Sequence, residues 1–380
     1  MRRILLISRN FPPLVGGMER LNFHLAEGLA RDGELMLIAP EGAASHAPSG
    51  AEVLEVPLAP LSLFLLRAAG AALHAARRFH PDVTLAGSGL TAPIAWMAAR
   101  TCGGVSAAYA HGLDLTAPHP VYRLFWPPAL RRVEGIIANS RATARLARNL
   151  GIDERRIHLV HPGVTLPSVL PGAEQNLSWR RAHGVPPDAP LLLSVGRLTE
   201  RKGLKEFVLN VLPRVAARYP KVQLRVIGGA PQHSLYARAQ TPEDILAAAK
   251  AAGVEDRIHF QGWIIDETLS AWFSAADLHV FPVRELPGDP EGFGMVAIEA
   301  AACGLPTVAY ATGGVPDAVM EGVSGRLVSP GDDAAFADAL CALLARPPDR
   351  ENLRAFAARF AWPQFQLAIW KALESLSAKT

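Results

Sequence analysis

Cysteine is scarce in this chain of 380 residues: Cys102, Cys303 and Cys341 are scattered and odd in number. No CxxC pair and no zinc-type spacing occurs, so neither a disulfide framework nor a zinc module is expected, and a reducing compartment fits. Long hydrophobic runs are lacking too. The most apolar window, Leu58–Ala76, is interrupted by Pro60, Arg67 and His74. It falls short of the roughly 18 uninterrupted apolar residues that span a bilayer. The opening Met1-Arg-Arg-Ile-Leu-Leu-Ile7 holds four apolar residues in a row, too few for a signal-peptide core, and reads as a first strand. The chain is expected to be soluble or to lie on a membrane. The formal net charge is only +3, too small to argue for nucleic acid. No Walker lysine loop, G-x-S-x-G elbow, His/Cys metal cluster, solenoid repeat or low-complexity tract is present, which removes several common chemistries and architectures.

Lysine is missing from the first 201 residues. Residues 1–165 hold 17 Arg, no Lys and 12 acidic residues, a surplus of five positive charges, and the rest of the chain carries a net −2. A basic N-terminal half suits phosphates or an anionic membrane surface; an arginine-rich coding bias explains it equally well.

The length exceeds what one hydrophobic core usually serves, so two domains are expected. The same pattern opens each half. Arg3–Ser8 reads as a strand, Arg9–Gly17 as a loop, Met18–Asp32 as a helix and Glu34–Ala39 as a strand. In the second half Leu191–Val195 reads as a strand, Gly196–Gly203 as a loop, Leu204–Tyr219 as a helix and Val222–Ile227 as a strand ending at Gly228-Gly229. Further strands are predicted at Asp82–Ala86, Val105–Ala110, Gly135–Ala138, Ile258–Phe260, Leu278–Phe281 and Thr307–Ala309. Parallel strands need helical crossovers, so two doubly wound α/β sheets follow. Pro167–Asn176, rich in Pro, Gly and small residues, is placed as the linker, and Pro363–Ser377 is amphipathic.

Ligands of such sheets bind beyond the carboxyl ends of the strands. In Ser194-Val-Gly196-Arg197-Leu-Thr-Glu-Arg-Lys202-Gly203 two cations share one loop and could grip a diphosphate; the alternative is a solvated charged loop. In Glu291-Gly-Phe293-Gly294-Met295-Val296-Ala-Ile-Glu299 the glycines expose N–H groups at a helix start. The two carboxylates are expected about two turns apart on one helical face, with Glu299 buried among alanines. The alternative is a helix-dipole Glu and an unrelated one. Gly16-Gly17-Met-Glu19-Arg20 could admit a phosphate closely. His111-Gly112-Leu-Asp114 ends a strand, where a histidine can serve a substrate hydroxyl or remain structural. Gly87-Ser-Gly89-Leu-Thr-Ala92 fits a dinucleotide fingerprint without its acidic partner and is set aside.

Taken in order, these residues resemble family 4 glycosyltransferases. The motifs are Phe11-Pro-Pro…Gly16-Gly17, His111-Gly112, Asn139-Ser140, His161-Pro-Gly163-Val, Gly196-Arg197…Lys202-Gly203, Glu291-x7-Glu299 and Gly313-Gly314-Val-Pro. The branch they resemble includes phosphatidylinositol mannosyltransferases and envelope-polysaccharide transferases. The resemblance implies the GT-B fold, two Rossmann-like domains facing across a cleft, with boundaries 1–166 (plus the helix 363–380) for the acceptor and 167–362 for the nucleotide sugar. It implies a retaining hexosyltransferase moving a mannose- or glucose-type sugar from a GDP- or UDP-hexose donor to a lipid-linked or cell-envelope saccharide. Neither cofactor nor metal is implied, in keeping with the missing Asp-x-Asp. The implied catalytic set is His111, Arg197, Lys202 and Glu291. The implied donor contacts are Gly16, Gly17, Gly196, Gly228, Trp263, Ile264, Phe293, Gly294, Met295, Val296 and Glu299, and the acceptor contacts Glu19, Arg20, Asp114 and Ser140. The expected location is cytoplasmic, as a soluble protein or peripheral on the inner membrane, where Leu58–Leu66 with Arg67, Arg77 and Arg78, and Arg123–Trp126 with Arg131 and Arg132, could meet anionic lipid. The competing readings are an epimerase or phosphorylase of the same architecture and a non-catalytic nucleotide-binding module. A glycosidase would need carboxylates on both sides of the scissile bond.

Overall fold

The computed structural model describes residues 2–230, 238–264 and 266–377. The chain divides into two compact units, one formed by the residues up to Gly163 and those from Trp362 onward, the other by Val164–Ala361.

In the first unit seven parallel strands are β1 (Arg3–Ile7), β2 (Glu34–Pro40), β3 (Glu52–Val56), β4 (Val83–Ala86), β5 (Val105–Ala110), β6 (Gly135–Ala138) and β7 (Ile157–Leu159). Their order is β3-β2-β1-β4-β5-β6-β7, with Ile4 opposite both Leu35 and Val83. The second unit holds β8 (Leu191–Val195), β9 (Gln223–Ile227), β10 (Ile258–Gly262), β11 (Leu278–Phe281), β12 (Thr307–Tyr310) and β13 (Gly325–Val328), ordered β10-β9-β8-β11-β12-β13. Helices cover both faces, so the central strands are continuous apolar runs rather than alternating ones. In β1, for example, Ile4, Leu5, Leu6 and Ile7 are all fully buried. Each sheet reverses its strand order once, between β1 and β4 and between β8 and β11. The crevice for a ligand opens at such a reversal.

Three strands escape the sequence patterns, each for a physical reason. β3 is a half-exposed edge strand with Glu at both positions that face water, β7 has three residues, and β13 has four and carries Arg326. The helix expected over Leu204–Tyr219 is not uniform: an α-helical turn at Leu204–Glu206 gives way to a π-helical stretch at Phe207–Val211 and then to Leu212–Arg218. Pro213 supplies no N–H to the regular ladder. The segment placed as a linker is irregular only in its first half. Ala173–Ala182 is a helix whose Gln175 side chain accepts from the Gly172 N–H.

The amphipathic C-terminal segment is a helix, Trp362–Ser377, packed on the first unit. Trp362 stacks on His24 with ring centres 3.9 Å apart, Arg31 donates to Gln366 at 2.9 Å, and the Trp370 indole donates to the Gly28 carbonyl. Gly163 lies so near that a Cβ there would stand 2.1 Å from the Trp362 ring. The helix Leu61–Phe79 buries Phe64, Ala68, Ala72, Ala75 and Ala76 in the core and leaves Leu66 70% exposed. Among the described residues no helix is long and apolar enough to cross a membrane. Truncation of the 8%-exposed Trp362 to Ala is expected to destabilise the first unit by about 3 kcal/mol, read as a lower midpoint in urea denaturation; an unchanged midpoint would show that this ring does not anchor the helix.

Candidate functional site

The loop that leaves β8 is pressed onto the loop that leaves β11. Gly203 makes this contact feasible: it has φ +68°, and a Cβ there would lie 2.0 Å from the Pro282 carbonyl oxygen. Two cations, Arg201 and Lys202, are thereby carried against Glu291. The Lys202 ammonium lies 2.7 Å from Glu291 Oε2, and Arg201 Nη1 pairs with the same oxygen. Arg201 Nε lies 3.1 Å from Asp289 Oδ1, an ion pair without the angle of a hydrogen bond. The Lys202 ammonium also sits 4.7 Å from the centre of the Phe281 ring. Glu291 is fixed through its backbone as well, because Gly314 N–H donates to its carbonyl at 2.8 Å. Gly313, at φ +51°, leaves room where a Cβ would stand 2.4 Å from that carbonyl.

The Glu291 and Arg201 side chains are each 11% exposed and Lys202 is 19% exposed. Burial works to raise the Glu291 pKa, but Arg201 and Lys202 outweigh it and hold the carboxyl at about 2. Burial lowers Lys202 to about 8, with Glu291 opposing and Arg201 reinforcing the fall. Burial also acts to lower Arg201, yet Glu291 and Asp289 together raise it. Behind the cluster His279 is fully buried on β11 and held far below the ordinary histidine value, to about 3, first by burial and then by Lys202. Three cations and two carboxylates in so small a volume leave a surplus of positive charge. Arg197 supplies it: it is partly exposed and makes no hydrogen bond or ion pair with the described residues. It lines a shallow, solvent-open recess with Gly196, Lys202, Phe281 and Pro282.

The Glu291–Glu299 stretch departs from its expected geometry. The helix begins at Met295, after Gly294 at φ +95°, so Glu291 lies in the loop before it and shares no helical face with Glu299. Glu299 is partly exposed in the helix, not buried among the alanines. Phe293 and Gly294 are buried, Met295 and Val296 are partly exposed, and the helix starts without a side-chain cap. At the ends of β9 and β10, Gly228 N–H donates to the Gly262 carbonyl at 2.8 Å. Trp263 is 51% exposed, and its indole nitrogen would be 2.6 Å from a Cβ at Gly229. Ile264 packs partly into the core cluster around Trp272. The second-unit residues expected from the sequence to contact a donor thus follow the carboxyl ends of β8, β9, β10 and β11.

The first unit gathers a separate group at the ends of β1, β4 and β5. His111 Nε2 donates to the Gly87 carbonyl at 3.0 Å. Asp114 accepts from the N–H groups of His111 and Gly89, at 2.9 and 2.7 Å. Its carboxylate thus ties the β5 loop to the Gly87–Ala92 stretch. Gly16 caps the helix Gly17–Asp32. Glu19, the third residue of that helix, folds back so that its Oε2 would be 2.2 Å from a Cβ on Gly16, and Asn10 donates to its Oε1 at 2.7 Å. The helix mouth at Gly16-Gly17 is therefore already faced by a carboxylate. Arg20 is partly exposed beside it. Ser140 corrects the expectation of an acceptor contact: it is fully buried, and its hydroxyl caps the helix Arg141–Asn149 by accepting from Thr143 N–H at 3.0 Å.

Sequence reasoning missed three residues. Arg201 and Asp289 complete the ion cluster, and their signal was adjacency, one residue before Lys202 and two before Glu291. Arg9, 8% exposed at the end of β1, has a buried Nε without a partner; burial lowers its pKa against the nearby Glu19.

Comparison with known proteins gives the family. Residues 15–166 match the family described as Glycosyltransferase Family 4, and residues 189–346 that described as Glycosyl transferases group 1. A D-inositol 3-phosphate glycosyltransferase of Xylanimonas cellulosilytica is 31% identical over 97% of this chain and 95% of its own length. A protein of the same name from Mycolicibacterium smegmatis is 34% identical over 65% of this chain and 54% of its own. Among solved structures, Anabaena HepE in complex with UDP superposes with a TM-score of 0.77 at 21% identity, covering 98% of this chain and all of that one. Sucrose-phosphate synthase from Thermosynechococcus elongatus gives 0.79 at 24%, covering both chains completely. Matched in both of its halves, and along nearly the whole length of a named relative, the chain is a glycosyltransferase of family 4, group 1, with the GT-B fold.

Proposed function

We propose that this glycosyltransferase is a retaining, metal-independent hexosyltransferase. It takes a mannose- or glucose-type sugar from a UDP- or GDP-hexose and places it on a hydroxyl of a lipid-linked or cell-envelope saccharide, or of a phosphorylated polyol. The observation that carries the reading is the cation pair Arg197 and Lys202 on one loop at the β8/β11 reversal, with Glu291 beside it. Support for the donor comes from solved structures of similar fold that hold UDP and UDP-glucose. Support for a phosphorylated polyol comes from the names of the relatives.

In this reading Arg197 and Lys202 take the diphosphate, and their charges stand where a metal would otherwise neutralise the leaving group. The N–H groups from Phe293 to Val296 and the Glu291 carboxylate take the sugar, and Glu299 takes the ribose. Gly196, Gly228, Trp263 and Ile264 take the base and its ribose. From the first unit, His111 is assigned to the sugar hydroxyls, Gly16 and Gly17 to the donor phosphate or the acceptor, and Glu19, Arg20 and Asp114 to the acceptor. The bond from the anomeric carbon to the β-phosphate oxygen breaks, and the bond to the acceptor oxygen forms on the same face. The acceptor proton passes to the departing phosphate, and the nucleoside diphosphate leaves. Glu291, paired with two cations, is a poor base and serves to position the sugar.

Lys202→Ala and Glu291→Ala are each expected to lower kcat/KM for hexose transfer by about 100-fold or more, with unchanged circular dichroism; transfer at the wild-type rate in either variant would remove the assignment. Lys202 loses its charge as pH rises through about 8, and kcat/KM reports ionisations of the free enzyme. The pH profile of kcat/KM should therefore fall on its alkaline side from about pH 8. Glu291 stays ionised throughout the measurable range and contributes no acid limb. A flat profile to pH 10 would contradict this role for Lys202.

The proposal extends to an anionic membrane surface. The helix Pro120–Leu130 leaves Val121, Leu124 and Phe125 53%, 66% and 60% exposed, and Arg123, Arg131 and Arg132 are exposed around them. Peripheral docking on the cytoplasmic face of a membrane suits an apolar strip flanked by arginines. Flotation with phosphatidylglycerol vesicles should be salt-sensitive and weakened in Phe125→Glu; absence of flotation at low salt would rule the surface out.

A further inference from the structure

We propose that Arg201 is a positioning residue, which keeps Glu291 in place when Lys202 leaves that carboxylate for the donor diphosphate. The inference rests on the reading of the β8 loop as a diphosphate site.

Without a ligand both cations sit on the same oxygen, Glu291 Oε2. Their attachments differ. Arg201 has a second carboxylate in Asp289, 3.1 Å from its Nε, and its backbone carbonyl accepts from Arg284 N–H at 2.8 Å. Lys202 has Glu291 and the face of Phe281. An ammonium on a flexible stem can turn to a new anion, whereas a guanidinium held by two carboxylates stays. Lys202 lines a recess with Arg197, and neither Glu291 nor Arg201 is part of that lining.

A diphosphate arriving there brings at least two negative charges and competes with Glu291 for Lys202. If Lys202 were the only cation on Glu291, donor binding would strand a buried carboxylate, which would then take up a proton or swing away from the sugar. Arg201 prevents both. It cannot be deprotonated in the working range, so it holds Glu291 in either state. The groups that face the Lys202 ammonium are Glu291, Arg201, Arg197, the Phe281 ring and the neutral His279 behind it. Of the charged ones, the two arginines lower its proton affinity and Glu291 raises it. Removing Arg201 therefore raises that affinity and ties Lys202 more firmly to Glu291.

The test uses the full-length protein and the variants Arg201→Met, Arg201→Lys and Asp289→Asn, with UDP and GDP binding and donor kinetics followed from pH 6 to pH 10. In Arg201→Met, kcat is expected to fall by about 100-fold, more than KM for the donor rises, and the alkaline limb moves above its wild-type position. Arg201→Lys restores most of kcat, because a second cation again holds Glu291. Asp289→Asn, which keeps Arg201 but loosens it, gives a smaller fall in the same direction and serves if Arg201→Met does not fold. Overturning results are an alkaline limb that does not move in folded Arg201→Met, or a kcat in folded Arg201→Met or Asp289→Asn equal to wild type. If the wild type binds neither UDP nor GDP, the diphosphate reading fails and this role with it. Nucleotide binding with an unmoved limb overturns the role of Arg201 alone.

Discussion

The contact between Glu291 and its two cations governs how the second unit is put together around its ligand side. A carboxylate taken out of water beside β11 is tolerable only with cations in contact. Those cations arrive only because Gly203 lets the β8 loop close on the Pro282 backbone. Such a buried cluster is weak support for stability, since desolvating the charges can cost more than their attraction returns. Its sense lies in use. In the proposed reading the partly exposed Arg197 is the positive excess and the Glu291 and Asp289 carboxylates hold the other two cations, so an incoming diphosphate would meet a site already arranged.

Topology explains why both groups of polar residues stand where they do. Each sheet reverses direction once, and the loops at that point are the ones left uncovered by crossover helices. In the second unit the reversal falls between β8 and β11, which bring Arg197–Lys202 and Pro282–Glu291 together. In the first it falls between β1 and β4, where Arg9, Glu19, Gly87 and His111 gather. The two groups differ in character. In the first unit Asp114 ties two loops, Glu19 covers its own helix mouth and Ser140 is a cap, while the cation whose Nε lacks a partner, Arg9, is buried. The second unit's cluster retains an uncommitted cation in Arg197, which is the property expected of a phosphate site.

Much of this was legible in the chain. Apolar runs four to seven residues long, separated by helical periods, marked the central strands to within a residue or two, because buried parallel strands leave little freedom of composition. Edge strands such as β3, and the short β7 and β13, carry charged or few residues and leave no such pattern. The pairing of Lys202 with Glu291 could be suspected from loop positions, but the place of Glu291 outside the helix depends on Gly294 adopting a left-handed backbone, which a glycine permits and does not dictate. Arg201 and Asp289 looked like ordinary loop charges. Only the packing of one loop on another distinguishes a charge spent in a cluster from one in water, and no local pattern records that.

The most direct test is phosphorus NMR of UDP and of GDP bound to the full chain, in the wild type and in Lys202→Gln. Contact with Lys202 and Arg197 predicts a shifted β-phosphorus resonance in the wild type that moves back towards the free value in the variant. A β-phosphorus signal that binding leaves unchanged, or one shifted equally in both proteins, would contradict a diphosphate site at this loop.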